Sequence, residues 1–153
     1  MAETRFVYVT YIRTTAEKLW RALLEPEFTR QYWGGTWQEC EWKVGAPWRI
    51  LLPDGRTADV GEVLELEVGR KLALTWRNEF NPEFHEEGFS RLTYEIAPMG
   101  DAVKLTVTHV IDRDGSKLIE ATSNGWPAIL SSLKSLLETG ESLEMTRRWK
   151  AGD

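Results

Sequence analysis

A chain of 153 residues fits one domain and is long enough to bury a core without the help of a metal or a disulfide. Its 19 basic and 24 acidic residues give a net charge of -5, which opposes approach to a phosphate backbone and argues against a nucleic-acid partner. The lone cysteine excludes an internal disulfide, the N-terminus lacks the pattern of a signal peptide, and no apolar run reaches the ~20 residues of a membrane span. We therefore expect a soluble, cytoplasmic protein.

The N-terminal part of the chain predicts a strand followed by two helices. Residues 4–13 alternate in polarity and are rich in aromatic and β-branched side chains, which is typical of a strand. Thr14 and Glu17 then fit a capping box, so we expect a helix to begin there and to end before Pro26. A second, shorter helix is expected over residues 27–33, up to a pair of glycines.

The middle of the chain predicts a run of short strands. They are expected near residues 36–43, 47–52, 57–66, 71–77, 88–97 and 102–112. The connections between them are short turns, with one longer loop around Asn81 and Pro82. Because short connections join antiparallel neighbours, we expect a single meandering antiparallel sheet. In the last strand the apolar residues and His109 fall on one side, so one face of this sheet must be covered.

The last amphipathic segment is the candidate for that cover. Its apolar residues Trp126, Ile129, Leu130, Leu133, Leu136 and Leu137 share one helical face, whereas Ser131, Ser132, Lys134, Ser135 and Glu138 lie elsewhere. Pro127 would cost about 3 kcal/mol in a helix interior but little in the first turn. We therefore expect the regular helix to begin near Ser123 or Asn124 and to stop at Gly140.

Six segments, taken in order, resemble one known family. They are IRTT (12–15), KLWRALLEPE (18–27), YWGG (32–35), ALTW (73–76), LTVTH (105–109) and GWPAILSSLKSLLETG (125–140). The chain is similar over nearly its whole length to the START-like, or SRPBCC, superfamily. Within it, the chain resembles bacterial proteins like the C-terminal domain of the activator of the ninety-kilodalton heat-shock protein's ATPase.

This resemblance implies an α+β helix-grip fold. In that fold a curved antiparallel sheet of about seven strands wraps around the long C-terminal helix, with two short helices after the first strand. We expect residues 1–140 to form one such domain and residues 141–153 to form a charged C-terminal tail. The resemblance also implies a cavity between the sheet and the last helix, which in relatives takes lipids, sterols, polyketides or hormones.

Aromatic side chains are the main candidates to line that cavity. The inward positions are Trp33, Trp48, Trp76, Tyr94, His109 and Trp126, with Phe84 and Phe89 at the mouth. Indole N–H groups would be available to orient a ligand, whereas Arg49 and Arg77 point to the solvent face by alternation. The same aromatic residues would also suit a filled core.

Catalytic and metal-binding patterns are sparse. His109 could present a neutral imidazole to a ligand or act as a general base, or it could be a buried histidine hydrogen-bonded near the first turn of the helix. His85 is followed by two glutamates but lacks the second histidine of the H-E-x-x-H pattern. Cys40 lies between two glutamates, which would raise the pKa of its thiol. There is also no glycine motif for a nucleotide. From these missing patterns together, we expect no metal and no other cofactor.

Three functions remain open from the sequence. The first is binding of a small hydrophobic or aromatic molecule in the cavity. The second is an enzyme of the cyclase or hydrolase type that uses the same cavity, with His109 as general base. The third is a protein-interaction role like that of the chaperone ATPase activator, in which the exposed face of the sheet contacts a chaperone or a second copy of the chain.

Overall fold

The structure, a computed structural model, describes residues 3–147. The elements are β1 (Thr4–Ile12), α1 (Ala16–Leu24), α2 (Pro26–Tyr32), β2 (Trp37–Cys40), β3 (Pro47–Leu51), β4 (Thr57–Glu67), β5 (Lys71–Asn78), α3 (Pro82–Glu86), β6 (Ser90–Met99), β7 (Ala102–Ile111) and α4 (Lys117–Thr139), followed by a 3₁₀ turn at Glu144–Thr146. Within the described range, no helix is both long and apolar enough to cross a bilayer.

The strands form one seven-stranded sheet in the order β1-β7-β6-β5-β4-β3-β2, and every neighbouring pair is antiparallel. Its inward side chains and the apolar side of α4 make one continuous core. The predicted α+β helix-grip class is confirmed, with about seven curved strands, two short helices after the first strand and a long C-terminal helix.

One close approach of the backbone shapes the middle of this sheet. A Cβ added at Gly61 would lie 1.8 Å from the carbonyl oxygen of Thr75 across the β4–β5 pair, so only glycine fits there. Further along the same pair, the register shifts between Val63 and Glu65, which marks a β-bulge. Bulges bend a strand, so we expect β4 to bend at this point.

The long helix α4 begins earlier than the sequence predicts. The predicted start near Ser123 or Asn124 is wrong, because the helix begins at Lys117 and has Pro127 in its interior. Ser116 is the N-cap, and its hydroxyl accepts a hydrogen bond at 3.1 Å from the backbone N–H three residues on.

Burial of the first turn of α4 explains the earlier start. Leu118 and Ile119 are each only 2% exposed. The free energy gained by burying two large apolar side chains offsets the roughly 3 kcal/mol that an interior proline costs. The predicted end at Gly140 is confirmed, with a φ of 90° and an N–H that donates to the carbonyl of Leu136 at 2.9 Å.

Two short helices also differ from the prediction in detail. The N-cap of α1 is Thr15 rather than Thr14, and the Thr15 hydroxyl accepts from the N–H of Lys18 at 3.1 Å. The loop expected around Asn81 and Pro82 contains α3, which begins with that proline and is capped by the Asn81 side chain.

The apolar stripe of α4 is buried as predicted, from Trp126 to Leu137. Ser132, which the sequence places away from this stripe, is fully buried as well. Its hydroxyl oxygen accepts hydrogen bonds from the N–H of Leu143 at 2.8 Å and from the hydroxyl of Thr146 at 2.6 Å. A buried hydroxyl with two partners carries no unpaired polar group, which is why serine fits in this core.

The segment after α4 packs back onto the domain. Thr146 is fully buried, and its carbonyl oxygen accepts a hydrogen bond from the N–H of Gly34. Part of the expected charged tail, residues 141–147, is therefore described and contacts the domain, and the division at residue 140 stays a prediction. The rest of the expected charged tail, residues 148–153, lies outside the described residues.

Candidate functional site

A cavity of about 440 Å³ lies between strands β3 to β5 and the first half of α4, and it is partly open to solvent. Its walls are mainly aromatic and aliphatic, and they include the buried rings of Trp33, Trp76 and Trp126. Phe80, which is 43% exposed, stands with Phe84 at the opening. Sites for small molecules in proteins have volumes of about 300–1,000 Å³ and walls of this kind.

The helix α4 leaves room for the cavity because the residues that it presents there are small. Ala121, Gly125 and Ala128 recur at spacings that put them on one side of α4, and all three line the cavity. A Cβ at Gly125 would have open space around it, with no side chain or distant backbone atom within 4 Å. The volume of the cavity is therefore set partly by the absence of side chains on α4.

Three indole rings form one wall of the cavity. The ring centroids of Trp33 and Trp76 lie 6.1 Å apart, those of Trp33 and Trp126 5.4 Å, and those of Trp76 and Trp126 5.9 Å. These distances are typical of favourable aromatic pairs, so each ring limits the movement of the other two. The rings come from the end of α2, from β5 and from α4, so the wall ties three elements together.

Two of these rings are also held through their indole N–H groups. Trp76 Nε1 donates to Asp59 Oδ1 at 2.9 Å. Trp126 Nε1 donates to His109 Nδ1 at 3.3 Å. Both N–H groups are thus used inside the protein, so they are not free to orient a ligand as the sequence suggested. What they do is fix the orientation of the rings before any ligand arrives.

His109 is one of these anchors. It is fully buried and does not line the cavity. Because an indole nitrogen only donates, Nδ1 accepts from Trp126, and we assign the ring proton to Nε2, which lies 2.8 Å from Ser90 Oγ. The Ser90 hydroxyl in turn donates to the carbonyl of Trp76 at 3.0 Å.

Burial lowers the pKa of His109 to about 3, so its imidazole is neutral near pH 7. Both ring nitrogens already have partners in the protein. Of the two interpretations that the sequence left open, these contacts describe the buried, hydrogen-bonded histidine. A general base must reach the proton that it removes, and this ring does not.

The acidic group of the cavity is Asp59 on β4, which is 7% exposed. Its Oδ1 accepts from Trp76 Nε1 and, at 3.1 Å, from Asn78 Nδ2. Asn78 Oδ1 accepts from the N–H groups of Phe80 and Asn81, at 3.2 and 2.8 Å, which fixes the orientation of its amide. The other carboxylate oxygen, Asp59 Oδ2, has no hydrogen-bond partner in the described part of the chain. Oδ2 is therefore the atom left for a proton or a ligand.

Burial raises the pKa of the Asp59 carboxyl to about 7. The N–H donors of Trp76 and Asn78 oppose this increase, and the nearby charge of Glu79 adds to it. Because Oδ1 already accepts two hydrogen bonds, the proton lies on Oδ2 when it is present. Near neutral pH this oxygen can therefore either donate a hydrogen bond or carry negative charge.

Sequence analysis missed both Asp59 and Asn78. Alternation along β5 puts Asn78 on the same inward face as Trp76, so extending that strand by one residue would have found it. Asp59 lies opposite Asn78 in the β4–β5 pair. That pairing depends on the bulge near Val63, and no residue pattern in the sequence announces a bulge there.

Four of the seven predicted site residues line the cavity, and three do not. The four are Trp33, Trp76, Phe84 and Trp126. The three are Trp48, Tyr94 and His109, which are buried behind the first group. Trp48 packs on Trp76 with centroids 5.0 Å apart, and Tyr94 meets Trp126 edge-on at 6.2 Å. Their contact with a ligand stays a prediction.

Phe89, Arg49 and Arg77, which the sequence placed near the mouth or on the outer face, do not line the cavity. Phe89 is 49% exposed and lies against the guanidinium of Arg77 at 4.7 Å, away from the cavity lining. Arg77 pairs with Glu79 at 2.7 Å, and Arg49 pairs with Glu39 at 2.6 Å. Neither arginine lines the cavity, as the alternation predicted.

Other candidate chemistry finds little support. Among residues 3–147, no group of three or more histidine, cysteine, aspartate or glutamate side chains is placed to bind a metal ion. His85 pairs with Glu79, with Nε2 3.4 Å from Oε2. Partial burial raises the pKa of the Cys40 thiol and the charge of Glu41 adds to it, so the reactive thiolate is disfavoured.

The family model described as "Activator of Hsp90 ATPase homolog 1-like protein" matches residues 13–138 of the chain. The chain belongs to this family. The resemblance to the START-like superfamily that the sequence segments indicate is thereby confirmed. No curated protein matches the chain.

Several solved structures share the fold. Protein MLL2253 from Mesorhizobium loti is 25% identical with a TM-score of 0.75, over 88% of this chain and 97% of that protein. The Aha1 dimer from Colwellia psychrerythraea is 15% identical with a TM-score of 0.71, over 91% of this chain and 99% of that one. DynU16, a protein in the dynemicin biosynthetic locus, is 19% identical with a TM-score of 0.73, over 95% of this chain and 49% of that one.

Proposed function

We propose that the protein binds a small hydrophobic or aromatic molecule in the cavity between the sheet and α4. One observation carries this proposal: three indole rings, two of them fixed by their N–H groups, form a wall beside about 440 Å³ of open volume. A ligand that removes this wall from water gains about 25 cal/mol per Å² of apolar surface. Because the rings already have fixed positions, little of that gain is lost in ordering them.

The comparisons give this proposal a context. The START-like resemblance implies a cavity at this position, with hydrophobic ligands in relatives. One neighbour in fold, DynU16, is a protein in a biosynthetic locus, which is a setting of small-molecule chemistry. Fold similarity alone carries no ligand, so the support for binding rests on the residues of this cavity.

Two variants at one position of α4 test the proposal. Gly125→Phe puts a ring into the open space beside that residue, and Gly125→Ala is the matched control, because it adds a single carbon where nothing lies within 4 Å. The measurement is tryptophan fluorescence during titration with sterols and polycyclic aromatic polyketides, since three of the lining residues are indoles.

We expect saturable fluorescence changes with at least one class for the wild type and for Gly125→Ala, and none for Gly125→Phe. Native mass spectrometry of the protein from its own cells gives an independent readout, in which a co-purifying molecule is lost only in Gly125→Phe. Responses that are equal in all three proteins would place binding elsewhere on the surface. A flat response in the wild type would count against the proposal itself.

An enzyme of the cyclase or hydrolase type is a second candidate, which Asp59 favours and His109 does not. A carboxyl with a pKa of about 7 and a free oxygen beside the cavity has the properties of a general acid or base near neutral pH. If the cavity catalyses proton transfer, Asp59→Asn abolishes turnover of a bound polyketide and leaves its binding intact. Turnover at the wild-type rate in that variant would remove the mechanism.

A further inference from the structure

Two acceptor atoms of the cavity lining have no partner in the described part of the chain, Asp59 Oδ2 and the amide oxygen of Asn124. Of the two, Asp59 Oδ2 belongs to a side chain that is only 7% exposed. The other carboxylate oxygen, Oδ1, accepts from Trp76 Nε1 and Asn78 Nδ2. An ionised carboxylate only accepts, so a ligand group that binds Oδ2 in that state must be a donor.

The charge of the lining points in the same direction. Asp59 is the ionisable residue that lines the cavity, and none of the lining residues is a lysine, an arginine or a histidine. Arg77 lies between the lining residues Trp76 and Asn78 in the sequence, but it pairs with Glu79 on the outer face of the sheet. A bound carboxylate or phosphate would have no cation to neutralise it in this apolar space, so anionic ligands are disfavoured.

Resting on the proposed binding function, we propose that the ligand is a hydrophobic amine whose protonated nitrogen binds Asp59 Oδ2. An ammonium supplies donors and no acceptor, which suits an ionised carboxylate oxygen without a partner. It would also replace the missing partner of a buried carboxylate with a charge-assisted hydrogen bond. The hydrophobic part of such an amine would lie against the indole wall, because the Trp76 ring is held next to Asp59 by the hydrogen bond at 2.9 Å.

The ionisation of Asp59 makes the binding measurable as a proton balance. With a pKa of about 7, the free protein carries about half a proton on Asp59 at pH 7, and a bound ammonium favours the ionised form. Binding of an already protonated amine therefore releases about half a proton. The other charge acting on Asp59 is Glu79, whose ion pair with Arg77 at 2.7 Å and contact with His85 at 3.4 Å lie outside the cavity.

Three naphthalene probes of nearly equal size test the assignment by isothermal titration calorimetry. They are 2-naphthylmethylamine, 2-acetylnaphthalene and 2-naphthoic acid, which present a cation, a neutral acceptor and an anion on the same ring system. The variant is Asp59→Asn, which keeps an oxygen to accept from Trp76 and removes the charge. Gly125→Phe serves as the variant with a blocked cavity.

We expect the amine to bind the wild type at least about tenfold more tightly than either other probe, with release of about half a proton at pH 7. In Asp59→Asn we expect the amine to lose about tenfold in affinity and the proton release to vanish, while the ketone changes by less than about threefold. Repeating the titration in buffers of different ionisation enthalpy measures the protons.

Other outcomes separate the two proposals. If the ketone binds more tightly than the amine, Asp59 acts as a neutral donor. If the acid binds more tightly than the amine, the site is cationic. Either result overturns the amine assignment. Amine binding that is unchanged in Asp59→Asn overturns it as well. In all these cases loss of binding in Gly125→Phe still supports the proposed function. No binding of any probe to the wild type would overturn both.

Discussion

The two halves of α4 differ in how closely they pack against the rest of the protein. In the second half, Leu130 and Leu133 are almost completely buried, and the helix surface is joined to the end of β1, where Glu138 accepts from the N–H of Arg13 at 2.8 Å. In the first half, small residues such as Gly125 leave a cavity beside Trp126. The size of the side chains, and not the pattern of polarity, decides whether this helix seals the sheet or leaves a site.

The largest expected effect separates the packed half from the open half. We expect Leu133→Ala to lower the free energy of unfolding by about 2 to 5 kcal/mol, because Leu133 is fully buried and its removal leaves a void. Leu118→Ala is the matched variant beside the cavity, and we expect a smaller loss because one side of Leu118 already faces open volume. Denaturant unfolding at one pH measures both, and an equal or larger loss at Leu118 would contradict the contrast.

The next prediction concerns the buried charge of the open half. The pKa of Asp59 is raised from 3.8 to about 7, so the folded protein holds this proton more tightly than the unfolded chain does. Stability linked to Asp59 is therefore fully present below pH 3.8 and is lost as the pH rises toward 7. The stability of Asp59→Asn relative to the wild type should rise by on the order of 4 kcal/mol between pH 4 and pH 8.

This measurement must be a difference, because His109 has the opposite effect. Its pKa is lowered to about 3, so its contribution is present above the ordinary value of 6.5 and is lost as the pH falls toward 3. The two contributions oppose each other over pH 4 to 6.5 in the wild type. In Asp59→Asn, of these two contributions only that of His109 still changes the free energy of unfolding with pH. Parallel stability curves for the wild type and the variant would show that Asp59 has an ordinary pKa.

A smaller effect is expected where the helix lacks a side chain. Gly125→Ala should raise the free energy of unfolding by up to about 1 kcal/mol, because alanine favours a helix and its Cβ meets no atom here. The thermal midpoint measures this gain. A loss of stability would mean that the chain approaches Gly125 more closely than the open cavity allows.

The smallest effect is expected at the sealed end of α4. The N–H of Arg13 and the ammonium of Lys134 lower the pKa of Glu138, so its contribution is present near neutral pH and is lost under acid. Glu138 is partly exposed, so we expect Glu138→Gln to cost only about 0.5 kcal/mol at pH 7 and less as the pH falls. A cost that does not fall with the pH would point to packing rather than charge.

Much of the fold could be predicted from residue patterns because one face of the sheet is wet. Alternation in β7 places Val103 to Ile111 inward, and the stripe from Trp126 to Leu137 is buried as expected. The start of α4 could not be predicted in this way. The cost of Pro127 is visible in the sequence, whereas the burial of Leu118 that offsets it depends on contacts across the fold.

The candidate site was predicted in kind but not in detail. Large aromatic residues identified the wall of Trp33, Trp76 and Trp126, yet the sequence does not show which way an indole N–H points. Asp59 was missed because a charged residue near a glycine in a strand usually faces water. Its inward position follows from pairing with Asn78, which depends on a bulge that only the assembled sheet reveals.

The hydrogen bonds of Thr146 affect the cavity, although Thr146 does not line it. Its carbonyl accepts from Gly34, next to Trp33, and its hydroxyl donates to Ser132 on α4. The last described residues thus connect the loop that carries one wall of the cavity to the helix that carries another. A chain shortened after Gly140 would keep every residue that lines the cavity, but its affinity for a ligand should fall because the distance between those two walls would no longer be held.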